Sequence, residues 1–177
     1  MKISIVIPCY NEKNTISEII DKVGKANVLG CDREIIVVDD KSSDGSFQIL
    51  EEILATNKIH RLLKNEKNSG KGFSLRKGIE NSTGDIILIQ DADLEYDPAD
   101  YQKLIEPIMD GYADVVYGSR FLGSSRVRVL YYWHSVGNYF LTLLSNMFTN
   151  LNLTDMEVCY KAFKSDIIRS IKLKEDR

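Results

Sequence analysis

The sequence predicts one α/β domain with a mainly parallel central sheet and helices on both faces. Three observations carry that prediction. Short β-branched runs alternate with amphipathic segments, the runs are almost continuously apolar, and polar residues collect immediately after each run. At 177 residues the chain has the length of a single domain, and no repeat, linker or low-complexity segment divides it.

The predicted strands are 3–7, 34–38, 59–63, 85–89 and 114–117, each rich in Ile, Val or Leu. Near-continuous apolar content suits strands covered on both sides. The segments 12–25, 46–56, 72–81 and 98–110 carry apolar residues at i, i+3, i+4 spacing, as helices packed on a sheet require. Asp97-Pro98 marks a helix start, because proline fits the first turn and the aspartate caps it. In open parallel sheets, ligands bind beyond the carboxyl ends of the strands. There the sequence places Pro8 to Glu12, Asp39 to Gly45, Asn68 to Gly72 and Gln90 to Asp93.

Composition removes several function classes. With 23 Lys+Arg against 26 Asp+Glu, the net charge of −3 gives no footprint for sequence-independent nucleic-acid binding, so no nucleic-acid partner is expected. Cys9, Cys31 and Cys159 are widely spaced and odd in number, which indicates neither a disulfide framework nor a zinc site. His60 and His134 have no Ser or Cys nucleophile placed with them, so triad hydrolases have little support. The first eight residues read as a strand rather than a signal peptide, and a cytoplasmic protein is expected. Residues 129–153 hold Tyr131, Tyr132, Trp133, Tyr139, Phe140 and Phe148, interrupted by polar residues that would be costly inside hydrocarbon. Such a stripe is expected in the core. A helix lying in the membrane interface is the sharper alternative, with peripheral attachment on the cytoplasmic face.

Asp91 and Asp93 are two apart after the apolar run 86–89, so on extended chain both side chains project to one side and can share a cation. Glu95 falls on the same face if the chain stays extended. Oxygen-only ligands favour Mg2+ or Mn2+, which complete their shells with water and substrate phosphates. Asp39 and Asp40 either cap the following helix or accept hydrogen bonds from a nucleoside, whereas Asp44 reads as a cap. Lys71, in Asn68-Ser69-Gly70-Lys71-Gly72, stands at a helix start where a phosphate can approach, without P-loop spacing. No G-x-G-x-x-G follows the first strand, which disfavours a nicotinamide or flavin dehydrogenase. Arg120 follows the fifth strand and is a candidate for bidentate contact with a diphosphate, or else for a surface ion pair; Arg126 and Arg128 read as a surface loop, with a second anion contact as the sharper alternative.

Taken together, these motifs resemble the family 2 glycosyltransferases of GT-A (Rossmann-like) fold, and within them the polyprenyl/dolichol-phosphate sugar transferases. The resemblance runs through 7–12, 37–45, 68–72, 90–95, 118–121 and 155–161, and covers essentially the whole chain. It implies that Pro8, Tyr10 and Glu12 line a nucleotide pocket, that Asp39 contacts the base, and that Asp91 and Asp93 engage ribose, metal and diphosphate. Glu95 stands where relatives often carry Gln as a further metal ligand. Arg120 is implied near the diphosphate or acceptor phosphate, and Asp155 matches an acceptor-side acid. Relatives usually continue with Phe-Gly-Phe-Glu after the point where this chain ends, so a truncated domain is expected.

The implied reaction is inverting transfer of a sugar from a UDP-glucose-like or GDP-mannose-like donor, with UDP-glucose the first choice. The expected acceptor is a lipid phosphate at a membrane surface, in cell-envelope glycan synthesis. The alternatives are a non-catalytic nucleotide-binding domain and a sugar-nucleotide nucleotidyltransferase.

Overall fold

The computed structural model describes residues 1–121 and 131–176. In chain order the elements are β1 (Lys2–Cys9), α1 (Ile16–Lys25), β2 (Asp32–Asp39), α2 (Ser46–Ala55), β3 (Arg61–Lys64), α3 (Lys71–Glu80) and β4 (Ile86–Ile89). A 3-10 turn (Pro98–Asp100) then leads into α4 (Tyr101–Met109), β5 (Val115–Tyr117), α5 (Tyr132–Thr149), β6 (Lys161–Lys164) and α6 (Ser165–Ser170). The described strands form a six-stranded sheet in the order β3-β2-β1-β4-β6-β5. β1 to β4 are mutually parallel where they pair, and β6 runs antiparallel to both β4 and β5.

All five predicted strands exist, with shifted ends. Alternate residues of the central strands point to opposite faces, as a period of two demands. Ile3, Ile5 and Ile7 of β1 join Ile16, Ile19, Ile20 and Val23 of α1 and the buried face of α4 in one core. Val6, with Ile87 and Ile89 of β4, joins Ile79 of α3 and Ile168 of α6 in the other. Helices therefore cover both faces. α3 lies close to the sheet because residue 78 is glycine: a Cβ there would come within 2.3 Å of Val6 Cγ1. Asp97 caps the turn before α4 as expected, its Oδ1 accepting from the Ala99 N–H at 3.0 Å.

Three features depart from the sequence reading. β6 was not anticipated, since Lys161-Ala162-Phe163-Lys164 holds two apolar residues between two lysines. α1 begins four residues later than predicted; the Thr15 and Ile16 N–H groups close a turn on Glu12 O, while Glu12 N–H donates to Ser46 Oγ at 2.8 Å. The aromatic stretch forms α5 but does not enter the core. Tyr131, Tyr132, Trp133, Tyr139, Phe140 and Phe148 are all exposed, and the buried residues of α5 are Asn138 and Thr142. The expectation that this stripe packs inside is corrected: the helix turns its polar side inward because the polar groups there find partners.

Candidate functional site

A cleft of about 480 Å³ opens beyond the carboxyl ends of β1 to β4, lined by Pro8, Cys9, Tyr10, Glu12, Asp40, Asn68, Gly70, Lys71, Ser74, Asp91, Ala92 and Asp93. That size falls within the roughly 300–1,000 Å³ of small-molecule sites. Each of the four loops expected to carry ligand contacts contributes. Proline is tolerated at the end of β1 because the ladder with β4 stops at Val6 and Ile89, so Pro8, paired only with Val38 of β2, has no β4 residue opposite it.

The first two loops are pinned to each other. Ser43 N–H donates to Asn11 Oδ1 at 2.8 Å, Asn11 N–H to Ser42 Oγ at 3.0 Å, and Lys13 N–H to Asp44 Oδ2 at 3.1 Å. Asp44 also accepts from Ser46 N–H and Ser46 Oγ at the start of α2, which agrees with its reading as a cap. Asp40 does something else. Its carboxylate accepts from Asn65 Nδ2 at 2.8 Å, Ser69 N–H at 2.8 Å and Gly70 N–H at 2.7 Å, and so fixes the loop before α3. Gly70, at φ 96°, supplies the backbone turn that presents Lys71. Asp39 is buried and does not line the cleft. Its oxygens accept from Ser42 N–H at 3.3 and 3.4 Å, both long bonds.

At the tip of β4, Asp91 and Asp93 both face the cleft. Asp91 Oδ1 lies 2.5 Å from Lys71 Nζ, which also reaches Cys159 Sγ at 3.1 Å. Burial alone would lower the Lys71 pKa, but the Asp91 carboxylate outweighs it and holds the ammonium charged. The Asp93 carboxyl is pushed up, first by burial and then by the charges of Asp91 and Glu95, although the Glu95 N–H opposes this. The reading of Glu95 on the same face is corrected. Leu94 takes φ 62° and Asp93 Oδ1 accepts from Glu95 N–H at 3.0 Å, so this segment is a tight turn rather than extended chain. Among the described residues no group of three or more His, Cys, Asp or Glu is placed to hold a metal. The pair Asp91 and Asp93 nonetheless fits a divalent cation: negative charge is concentrated there beyond what Lys71 neutralises, and the donors are all oxygen.

Arg120, partly exposed, and the buried Asp155 meet in a bidentate pair. Nε and Nη2 of Arg120 lie 2.7 Å from Asp155 Oδ2 and Oδ1, and the Arg120 backbone N–H donates to Oδ2 at 3.1 Å. Asn138 Nδ2 adds bonds to Asp155 Oδ1 at 3.0 Å and to Glu157 Oε2 at 3.1 Å. Burial would raise the Asp155 pKa, but these donors, Arg120 foremost, hold it below the usual carboxylate value. Arg120 is correspondingly pushed up, first through its hydrogen bonds to Asp155. A carboxylate enclosed in this way is a weak proton acceptor. The two oxygens of Asp155 are occupied by the Arg120 fork, the Arg120 N–H and Asn138. Arg126 and Arg128 lie outside the described residues.

Gln90 and Tyr160 lie within the motifs, but their part in building the site, and that of Tyr101, is not read from them. Gln90 is fully buried, its Nε2 donating to Asp91 O at 2.9 Å while Tyr101 donates its hydroxyl to Oε1 at 2.9 Å; the Tyr160 hydroxyl lies 3.0 Å from the same oxygen. This network fixes the turn that carries both aspartates. A glutamine ending an apolar strand run was the available signal.

The model of the family described as Glycosyl transferase family 2 matches residues 4–172. Among curated proteins, dolichol-phosphate mannosyltransferase of Pyrococcus furiosus is 32% identical over 127 residues, covering 72% of this chain and 35% of that protein. Undecaprenyl-phosphate 4-deoxy-4-formamido-L-arabinose transferase of Aeromonas hydrophila is 28% identical over 178 residues, covering 99% of this chain and 52% of that protein. The chain thus spans about half or less of the length of these relatives. Among solved structures, glucosyl-3-phosphoglycerate synthase from Mycobacterium tuberculosis, in complex with Mn2+, UDP and glucosyl-3-phosphoglycerate, aligns with TM-score 0.71 at 23% identity. That match covers 96% of this chain and 59% of the other, a likeness of fold. The α/β architecture is accordingly the GT-A fold.

Proposed function

Because the chain belongs to glycosyl transferase family 2, we propose that it transfers a sugar from a nucleoside diphosphate sugar to a polyprenyl phosphate, with inversion at the anomeric carbon. The observation that carries this reading is the convergence of Asp91, Asp93 and Lys71 on one cleft with Pro8, Tyr10 and Glu12. Relatives named for dolichol phosphate and undecaprenyl phosphate support the lipid acceptor. A fold neighbour holding Mn2+ and UDP supports the donor class and the cation.

Transfer breaks the bond between the anomeric carbon and the diphosphate oxygen, so negative charge develops on the leaving group. The protein's task is to stabilise that charge where it appears. Asp91 and Asp93 would hold Mg2+ or Mn2+, which acts as a Lewis acid and template for the diphosphate. Lys71, charged and mounted at the start of α3, stands where it can turn from Asp91 toward a phosphate. Tyr10 and Glu12 flank the nucleoside end, and a base contact from Asp39 requires the loop at Ser42 to release its long N–H bonds. The attacking group is a phosphate oxygen already ionised near neutral pH, so no general base is needed. Asp155 orients the Arg120 guanidinium toward the acceptor phosphate; Arg126 and Arg128, which lie outside the described residues, are further candidates for contact with that phosphate. Glu95 contributes charge near the cation rather than a third ligand.

The test is transfer itself. Incubated with Mn2+, labelled UDP-glucose or GDP-mannose, and polyprenyl phosphate, the protein should move label into the organic-extractable lipid. Transfer to a simple sugar hydroxyl with none to polyprenyl phosphate contradicts the acceptor assignment.

A further inference from the structure

The motif segment 155–161 ends in a lysine that none of the assigned roles uses. Lys161 opens β6, and the register sets it opposite Ile89 at the end of β4 and opposite Tyr117 at the end of β5. Because β6 runs against both neighbours, its first residue stands at the carboxyl ends of theirs. One neighbour leads into the turn of Asp91 and Asp93, the other into the loop of Arg120. Lys161 therefore lies at the junction of the two halves of the site, outside the residues that line the donor cleft. Its side chain is half-buried. Other cations of this region are paired, Lys71 with Asp91 at 2.5 Å and Arg120 with Asp155 at 2.7 Å. Among the described residues Lys161 Nζ makes no ion pair and no hydrogen bond; it sits 4.8 Å from the centre of the Tyr117 ring. Burial accordingly lowers its pKa, and although the charges of Asp155 and Asp91 oppose this, each of those carboxylates is already engaged by another cation.

We propose that Lys161 binds the phosphate of the acceptor, at the junction of the Arg120 loop and the turn of Asp91 and Asp93; this rests on the lipid-phosphate reading of the acceptor. The charge balance of the site calls for a cation there. The Arg120 fork is matched by Asp155, so that pair brings no net positive charge to an anionic acceptor. On the donor side, Lys71 and the cation expected at Asp91 and Asp93 serve the diphosphate. Transfer has to bring a second phosphate up to that diphosphate, and two anions in a partly desolvated site repel each other strongly. Lys161 supplies the missing charge between them. Its ammonium has no carboxylate partner to give up, and the contact with the Tyr117 ring holds it in place until the phosphate arrives.

Calorimetric titration with farnesyl phosphate, on protein loaded with Mn2+ and UDP, tests this without relying on turnover. Lys161→Met keeps the length of the side chain and removes its charge. It should weaken farnesyl phosphate binding at least about tenfold, the loss expected for one charge-assisted hydrogen bond. Lys161→Arg should recover most of that binding, and UDP binding should be the same in both variants as in the wild type. Because the lysine is partly buried without a carboxylate, Lys161→Met should not lower the melting temperature, which separates lost contact from lost structure. A parallel loss of UDP binding in Lys161→Met overturns the proposal, since it assigns the lysine to the donor diphosphate. Equal farnesyl phosphate binding by wild type and Lys161→Met defeats this inference alone. Farnesyl phosphate that binds neither protein, while UDP binds both, defeats the lipid-phosphate reading and this inference with it.

Discussion

Asp155 is buried at the site, with the Arg120 fork, the Arg120 N–H and Asn138 all directed at it. Removing one member of such a pair leaves the other charge partly buried and without compensation. Asp155→Ala should cost about 3 kcal/mol of stability, near the lower end of the range for breaking buried pairs because Arg120 keeps some solvent contact. Denaturant titration measures it, and a loss below about 0.5 kcal/mol would contradict the buried-pair description. Acid carries a second signature. The folded pKa of Asp155 is lowered, so its stabilisation is fully present above the unfolded value near 3.8 and fades as pH falls through the folded value beneath it. Acid melts of Asp155→Ala should therefore lack part of the wild-type loss over that low-pH window. The sequence made both residues visible as motif members but not their pairing. They stand 35 positions apart, and only the fold shows that the Arg120 fork is directed at Asp155.

At the scale of elements, contact between α3 and the sheet depends on Gly78. Gly78→Ala should destabilise by about 1–3 kcal/mol, since the added methyl has to displace Val6 in a packed core. Gly24 in α1 is the matched control: nothing lies within 4 Å of a Cβ there, so alanine should be neutral or stabilise by up to about 1 kcal/mol through helix propensity. Urea unfolding of both variants tests the pair, and equal effects would contradict the close packing. Legibility differed between elements for physical reasons. β1, β2 and β4 lie at the centre of the sheet, and residues buried on both faces leave long Ile/Val runs in the sequence. β6 is short and flanked by lysines, so it forms through pairing with β4 and β5 rather than through a pattern of its own. α5 misleads a periodicity argument, because its stripe is real but faces outward; period reveals that a helix has two sides and not which one the protein covers.

At the scale of the whole molecule, the parallel order of β1 to β4 brings four loops to one end, and a chain with net charge −3 there gathers carboxylates around a single lysine. That end, and the loops composing it, could be located from the order of strands and helices alone. The turn at Leu94 could not, because a positive φ at leucine has no sequence signature, and it removes Glu95 from the line of Asp91 and Asp93. The central claim is that these two aspartates hold a divalent cation, which in turn holds a diphosphate. Calorimetric titration of UDP with and without Mn2+, on the wild type and on Asp93→Ala, tests it most directly. Binding should require Mn2+ and weaken at least about tenfold in the variant, since even outer-shell changes at metal sites cost roughly 10–100-fold. UDP binding that is indifferent both to a chelator and to Asp93→Ala would contradict it.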